Sequence, residues 1–373
     1  MMGQVPAAPF LAGRRIGLLT AWAAPAGGGV AEAVARQAAM IRAAGGEARV
    51  FALAVPGSEA TASLHRTHGP AVIGYAPSLL AALRAARLDC LHLHGIWMYP
   101  SRAGALWARA TGRPYVVSPH GMLDPWITAR GRWKKALARC GYEKASWRRA
   151  RLFHALSADE AADIARATGH GAITVIPNAA PPLAMAGAAR GAGHVVYLGR
   201  IHPKKNLAAL VAGWRQARLP AGSRLTIAGW GAAADVARLA AAIGDAPDIA
   251  FAGPLFDAAK HDLLRSARFT ILPSLSEGLP MAVLEGWAAG TPALLSEACH
   301  LPEGIAAGAA IGCGTTPDTI ARALERALAL DAPDWEAMAA AARGLAAGHF
   351  GAATIAARWV GAYGALIAGD EPA

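Results

Sequence analysis

Short apolar runs alternate with stretches of helical period along the whole chain. The runs that read as strands are 15–20, 48–53, 89–93, 115–118 and 172–176, then 194–199, 224–228, 249–252, 268–272 and 292–295. Strands alternating with helical patterns predict an α/β protein built on parallel sheets with crossover helices. The period lapses in PNAAPPLAMAGAARGAG, residues 177–193, which reads as a linker rich in Pro, Gly and Ala. A fresh strand, HVVYLG, opens at His194. The chain of 373 residues is too long for one ordinary core. We therefore expect a first domain over 1–180, a second over 181–350 and a closing helical stretch over 351–373.

In open α/β sheets, ligands bind outside the carboxyl ends of the strands. The unusual residues of this sequence fall at those ends. Gly27-Gly28-Gly29 follows the first strand, His94-Gly95 follows 89–93, and His120-Gly121 comes shortly after 115–118. In the second half, Gly199-Arg200, Gly229 and Gly231, Gly253-Pro254 and a loop containing Glu277 follow successive strands. Two such rims facing each other would enclose a cleft, and the chemistry is expected there.

Composition narrows the class. Hydrophobic residues make up 54% and charged residues 16%, a globular balance inflated by alanine. No run of strongly apolar, uncharged residues reaches the roughly 18 expected of a membrane span, and the first twenty residues lack the pattern of a secretory signal. The four cysteines (Cys90, Cys140, Cys299 and Cys313) form no C-x-x-C pair, which fits a reducing, cytoplasmic setting and no structural zinc. The net charge of +11 is lopsided: residues 1–180 carry 21 Lys/Arg against 9 Asp/Glu, and the remainder 15 against 16. The first domain is therefore expected to face something acidic.

Three motifs carry chemistry. RFTILPSLSEGLPMAVLEGWAAG, 268–290, is a strand, a loop and a helix that Pro280 can start and Gly290 can end. Glu277 and Glu285 bracket the turn. A helix start offers backbone N–H groups and a positive dipole end to an anion. Carboxylates beside an anion site make sense when one ligand carries both phosphate and hydroxyls, as a nucleotide sugar does. A buried capping glutamate and a solvated one would give the same spacing. In LGRIHPKKNL, 198–207, Arg200 and Lys205 stand five apart near a helix start, where two cations can neutralise a departing diphosphate. Lysine is the rarer choice here, with 6 Lys against 30 Arg. HLHGIWMYPS (92–101) and SPHGMLDPW (118–126) place His120 on a strand-end loop, where an imidazole can meet a sugar hydroxyl or a developing charge. Trp97, Tyr99, Asp124 and Trp126 from the same segments are acceptor-side candidates. A metal site at His92, His94 and His120 lacks a neighbouring Cys, Asp or Glu, and His92 reads better as a core residue.

These motifs together resemble glycosyltransferase family 4, from about residue 15 to 350, and within it a subgroup that builds bacterial surface polysaccharides. The resemblance implies the GT-B fold, two Rossmann-like domains with parallel sheets facing a central cleft. It implies retaining, metal-independent transfer of a sugar from a nucleotide diphosphate to a glycan or lipid-linked saccharide, with no cofactor. By the same resemblance the second domain holds the donor, and the closing helix crosses back to the first. Arg200 and Lys205 then stabilise the leaving diphosphate, Glu277 binds the transferred sugar, Glu285 holds the ribose and His120 contacts the sugar. Gly28, Gly29, Gly199, Gly229, Gly278, Leu279 and Pro280 are the accompanying donor-binding positions. The sequence departs from the family at Pro177-Asn178-Ala179-Ala180, where Asn is usually followed by Gly, and at His300, where relatives often carry Asn.

Residues 129–151 hold nine Lys/Arg and one acid, Glu143. Trp133, Leu137, Cys140 and Trp147 can form an apolar edge there, which suits a helix lying on an anionic membrane. A solvated helix with its aromatics packed inward suits the same residues. Nucleic acid ranks last as the acidic partner, because no binding module accompanies the charge. Neither G-x-G-x-x-G nor a P-loop is present, which disfavours a dehydrogenase or a P-loop NTPase. A nucleotide-sugar 2-epimerase or a non-catalytic sugar-binding protein of the same architecture are the alternatives to transfer.

Overall fold

A computed structural model describes residues 11–24, 29–55, 62–129, 131–182 and 193–369, apart from the side chains of Trp126 and Arg132. The chain divides into two compact units, one of residues 1–177 with 356–373 and one of 178–355. The division falls three residues before the expected boundary at 180, and the return to the first unit comes within the last helix, Ala352–Ala368.

The first unit carries seven strands: β1 (Arg15–Thr20), β2 (Glu47–Leu53), β3 (Ser63–His65), β4 (Cys90–His94), β5 (Tyr115–Ser118), β6 (Leu152–Ala155) and β7 (Ile173–Val175). Their order across the sheet is β3-β2-β1-β4-β5-β6-β7, all parallel. The second carries β8 (His194–Leu198), β9 (Arg224–Ala228), β10 (Ile249–Gly253), β11 (Phe269–Leu272), β12 (Ala293–Leu295) and β13 (Ala310–Gly312). Its order is β10-β9-β8-β11-β12-β13, again parallel. In each sheet the winding reverses next to the first strand, so each unit has its own switch point, between β1 and β4 in the first and between β8 and β11 in the second.

Burial on both faces explains the unbroken apolar runs. β4, β5, β8 and β11 are buried at every position. Leu19, Phe51, Leu93, Trp107, Tyr115 and Phe153 share one core in the first unit. Each such side chain contributes about 1.5–3 kcal/mol of transfer free energy. The helix Pro317–Leu328 starts in a capping box at Thr316 and packs on the helix Leu207–Gln216.

Three strands escaped the sequence reading. β3 and β13 are three-residue edge strands, and β3 has two exposed positions of three. β6 is broken in pattern by His154, which is buried because its ring bonds the Ser118 hydroxyl at 2.7 Å and the Ile176 carbonyl at 2.7 Å. The Ala332–Ala368 stretch reaches the mean hydropathy of a span, against the sequence expectation, but it is two helices, Ala332–Ala347 and Ala352–Ala368. The first buries Trp335, Ala339, Ala342 and Ala346, and the second buries Trp359 and Tyr363.

The basic segment also differs from the expected continuous edge. It runs as a helix over Arg132–Ala138, a π-turn over Arg139–Glu143 and a helix over Lys144–Arg149. A π-turn spends an extra residue, which rotates everything after it relative to the first stretch. Trp133 and Leu137 are each 66% exposed, while Trp147 is 4% exposed and packed inside with Glu143.

Candidate functional site

In the second unit, the loops leaving β8, β9 and β11 are laced together by backbone bonds. Gly199 N–H donates to the Ala228 carbonyl at 3.1 Å, Ile201 N–H to the Trp230 carbonyl at 2.7 Å, and Leu275 N–H to the Lys204 carbonyl at 2.7 Å. Asn206 holds a left-handed backbone at φ 60° and donates its amide to the Pro273 and Thr315 carbonyls at 3.2 and 2.7 Å. The loop of Lys205 is thus tied to that of Glu277. Gly229 is needed for this approach, since a Cβ there would lie 1.8 Å from the Gly199 carbonyl oxygen.

Lys205 and Glu277 meet as an ion pair, and both side chains are largely buried. The Ser274 hydroxyl donates to the same Glu277 oxygen at 2.6 Å, and the Ser274 carbonyl accepts from the Ser296 hydroxyl at 2.6 Å. Arg200 stands on the same loop with its side chain exposed, and its carbonyl accepts from the Tyr197 hydroxyl at 2.8 Å. Burial first, then the negative field of Glu277, push the Tyr197 phenol well above its ordinary range. It therefore stays protonated and serves as a donor.

Gly278, Leu279 and Pro280 lead from Glu277 into the helix Met281–Ala288, whose N-cap is Pro280, and Gly290 follows its end at φ 71°. Glu285 lies inside this helix, buried, and accepts from Lys260 at 2.9 Å. Lys260 belongs to the helix Asp257–Ser266 and is the one lysine outside the two lysine-bearing segments of the sequence. Its isolation hid it from motif reading, although its rarity was a usable signal. Arg200, Lys205 and Glu277 are thus placed on two joined loops, while Glu285 is engaged one helix farther on.

In the first unit, His120 follows β5 with a left-handed backbone at φ 55°. Its Nε2 lies 3.0 Å from His94 Nδ1, and the rings stack at 5.2 Å. The loop is pinned by Glu160, which accepts from the Gly121 N–H at 2.5 Å and the Leu156 N–H at 2.8 Å. Burial, and secondarily the neighbouring His154, hold the His120 pKa well below its ordinary value, so the ring is neutral. His92 is a core residue, with Nδ1 2.7 Å from the Tyr363 hydroxyl and Nε2 2.6 Å from that of Ser118. Among the described residues, no group of three or more His, Cys, Asp or Glu side chains is arranged to hold a metal.

Trp97 has φ 78° and lines a cavity of about 280 Å³ at the ends of β1 and β4. Tyr99 is buried edge-on to Tyr75 at 5.0 Å and lines a second cavity, of about 460 Å³, with Arg102 and Tyr142. Asp124 closes a turn, its N–H donating to the Gly121 carbonyl at 3.2 Å. Gly29 begins the helix Gly29–Ala43. Gly28 and the Trp126 side chain lie outside the described parts. None of Asn178, Ala179 and Ala180 is left-handed, so the glycine usual in the family is not required by the backbone here. His300 is left-handed at φ 53°, a conformation in which Asn and His are both enriched, which accounts for the exchange.

The description "Glycosyl transferases group 1" matches residues 192–330, and "Glycosyl transferase 4-like domain" matches 28–179. No curated protein matches the chain in sequence. Among solved structures, Anabaena HepE in complex with UDP and glucose is 18% identical with a TM-score of 0.75, covering 93% of this chain and 98% of that one. Sucrose-phosphate synthase from Thermosynechococcus elongatus is 19% identical with a TM-score of 0.78, covering 96% and 100%. WaaG, a glycosyltransferase of lipopolysaccharide biosynthesis, is 15% identical with a TM-score of 0.64, covering 89% and 95%. With both halves matched and two parallel Rossmann-like sheets of GT-B type, the chain belongs to the group 1, family 4-like glycosyltransferases.

Proposed function

We propose that this glycosyltransferase moves a sugar from a nucleotide diphosphate to a hydroxyl of a glycan or lipid-linked saccharide, with retention of anomeric configuration. The observation that carries the reading is the Lys205–Glu277 pair on the joined loops after β8 and β11, with Arg200 exposed beside it. HepE, solved with UDP and glucose, supports a nucleotide sugar as donor.

In this reading the bond from the anomeric carbon to the diphosphate oxygen breaks, and a bond to the acceptor oxygen forms on the same face. The acceptor proton passes to the departing diphosphate. Arg200 and Lys205 offset the charge that develops on that leaving group, each charged hydrogen bond contributing about 1.5–3 kcal/mol. Glu277 accepts from hydroxyls of the transferred sugar and Glu285 from the ribose. Neutral His120 acts as a hydrogen-bonding partner of the sugar and not as a charge. The pathway is the assembly of a bacterial surface polysaccharide, and the sugar is a hexose.

The basic segment 129–151 gives the protein a place at the inner face of the cytoplasmic membrane. Exposed Trp133 and Leu137 beside Lys134 and Lys135 support this, since a surface basic residue gains about 1 kcal/mol near anionic lipid. The experiment that tests the donor site is a screen of UDP-, GDP- and ADP-sugars by thermal shift, repeated with Arg200→Ala. One nucleotide class should stabilise the protein, and the variant should lose most of that shift. An equal shift in both proteins refutes the assignment of Arg200.

A further inference from the structure

Glu143 is a buried carboxylate that the proposed transfer does not use. It ends the π-turn, is 0% exposed, and accepts from the backbone N–H of Trp97 at 2.6 Å. The neighbouring Tyr142 hydroxyl donates to the Trp97 carbonyl at 2.9 Å. The Trp97 indole N–H donates to the Met122 carbonyl at 3.3 Å, and its ring meets Trp147 edge-on at 6.1 Å. Both faces of the Trp97 peptide unit and its ring are therefore held by other residues.

Such holding needs a reason. Trp97 sits at φ 78°, a strained region for a bulky L-residue that persists only where the surroundings impose it. The conformation turns the chain from the end of β4 into the helix Tyr99–Thr111 and makes Trp97 one wall of the 280 Å³ cavity. The other walls include Trp22, Val72, Ile96, Met98 and Met122. Thr20 and Ser101 also line it, but indoles, thioethers and branched alkyl groups make up most of the wall, so the cavity offers chiefly dispersion contacts, which suits hydrocarbon.

We propose that Glu143 is a positioning residue: acting through Trp97, it shapes this cavity to receive the hydrocarbon portion of an amphiphilic acceptor. The cavity opens at the ends of β1 and β4, on the strand-end rim that also carries His120 and Met122. An acceptor whose chain enters there presents its polar head to that rim. The inference rests on the transferase reading for the word acceptor, while the preference for hydrocarbon stands without it.

The test compares methyl and octyl β-D-glucopyranoside as probes, below the micellar range, by the fluorescence of the native protein. Wild type should bind the octyl glycoside at least about tenfold more tightly, as burial of only two methylenes would give. Glu143→Ala should reduce that preference to within about twofold. Glu143→Gln, whose amide oxygen still accepts from the Trp97 N–H, should keep it. If Glu143→Ala does not fold, Trp97→Gly takes its place: glycine adopts the same φ freely but removes the indole wall, and the preference should fall likewise. No chain-length preference in wild type, or an undiminished one in a folded Ala or Gly variant, overturns the proposal. Nucleotide-sugar binding is followed in parallel by thermal shift and should be unchanged in every variant. Were no nucleotide bound while the octyl preference held, the transferase reading would fail and the pocket would stand.

Discussion

Lys205 and Glu277 neutralise each other across two loops that leave neighbouring strands, and their side chains are only 12% and 6% exposed. Burial of both gives the pair a structural role beside the chemical one proposed for it. Arg200, on the same loop, is exposed and makes no comparable demand on the fold.

That contrast separates the two cations experimentally. Lys205→Ala strands a buried carboxylate and should cost on the order of 3 kcal/mol of stability together with transfer activity. Arg200→Ala should leave the unfolding temperature within a degree or so and, with its charge acting on the leaving group as proposed, lower turnover by about 100-fold. Thermal unfolding beside initial rates distinguishes them. A Lys205→Ala protein that melts like wild type would show that the pair is not buried as described.

Lys260 holds Glu285 at 2.9 Å from a helix that no motif marks. With Glu285 assigned to the ribose, Lys260→Met should raise the donor KM by about tenfold and change kcat much less, the pattern of lost ground-state binding. An equal fall in kcat at unchanged KM would instead place Lys260 in the chemical step.

Much of the site was legible because strand ends, glycines and charged residues coincide along the sequence. Arg200, Lys205 and Glu277 stand out in the sequence for that reason, and the structure places them on two joined loops; the Rossmann-like class follows from apolar runs that are buried on both faces. What stayed hidden depends on contacts distant in sequence. Glu160 is four residues after Leu156 yet holds the His120 loop, and His94 is defined by His120 twenty-six residues on. Trp147 faces inward because one turn of the basic helix is a π-turn, which no apolar spacing announces. His154 broke the pattern of β6 because its partners come from Ser118 and Ile176.

Gly229 offers a steric test of how closely the β8 and β9 loops must approach. A methyl there meets the Gly199 carbonyl oxygen at 1.8 Å, and neither group is the end of a flexible side chain. Gly229→Ala should force the Arg200 loop away, lowering stability by about 1–3 kcal/mol and weakening donor binding. Gly312→Ala, in β13, has no atom within 4 Å of the new methyl and should do neither. If both variants melt and bind alike, the loops are not packed through Gly229.

The histidines of the first unit make its stability depend on pH. Burial, and for His92 and His94 the mutual repulsion of neighbouring rings, hold His92, His94 and His120 well below their ordinary pKa, and burial brings His154 down to about 4. The unfolded chain takes up these protons as pH falls through about 6.5, and the native state resists, so stability present above 6.5 is lost on acidification. Glu143 works the other way. Burial lifts its carboxyl to about 7, so between 7 and its ordinary value of 4.5 the native state holds the extra proton and gains stability as pH falls. Burial lowers His65 in the same direction, and five histidines against one glutamate leave the loss dominant, with each net proton worth up to about 1.4 kcal/mol per pH unit. Unfolding followed by hydrogen exchange in β4 and β5 should therefore become easier from pH 7.5 to 5. His154→Gln should flatten that dependence, since one titrating ring is gone. Equal opening free energies in those strands at both pH values, after correction for the slower intrinsic exchange at low pH, would mean the imidazoles are not buried as neutral groups.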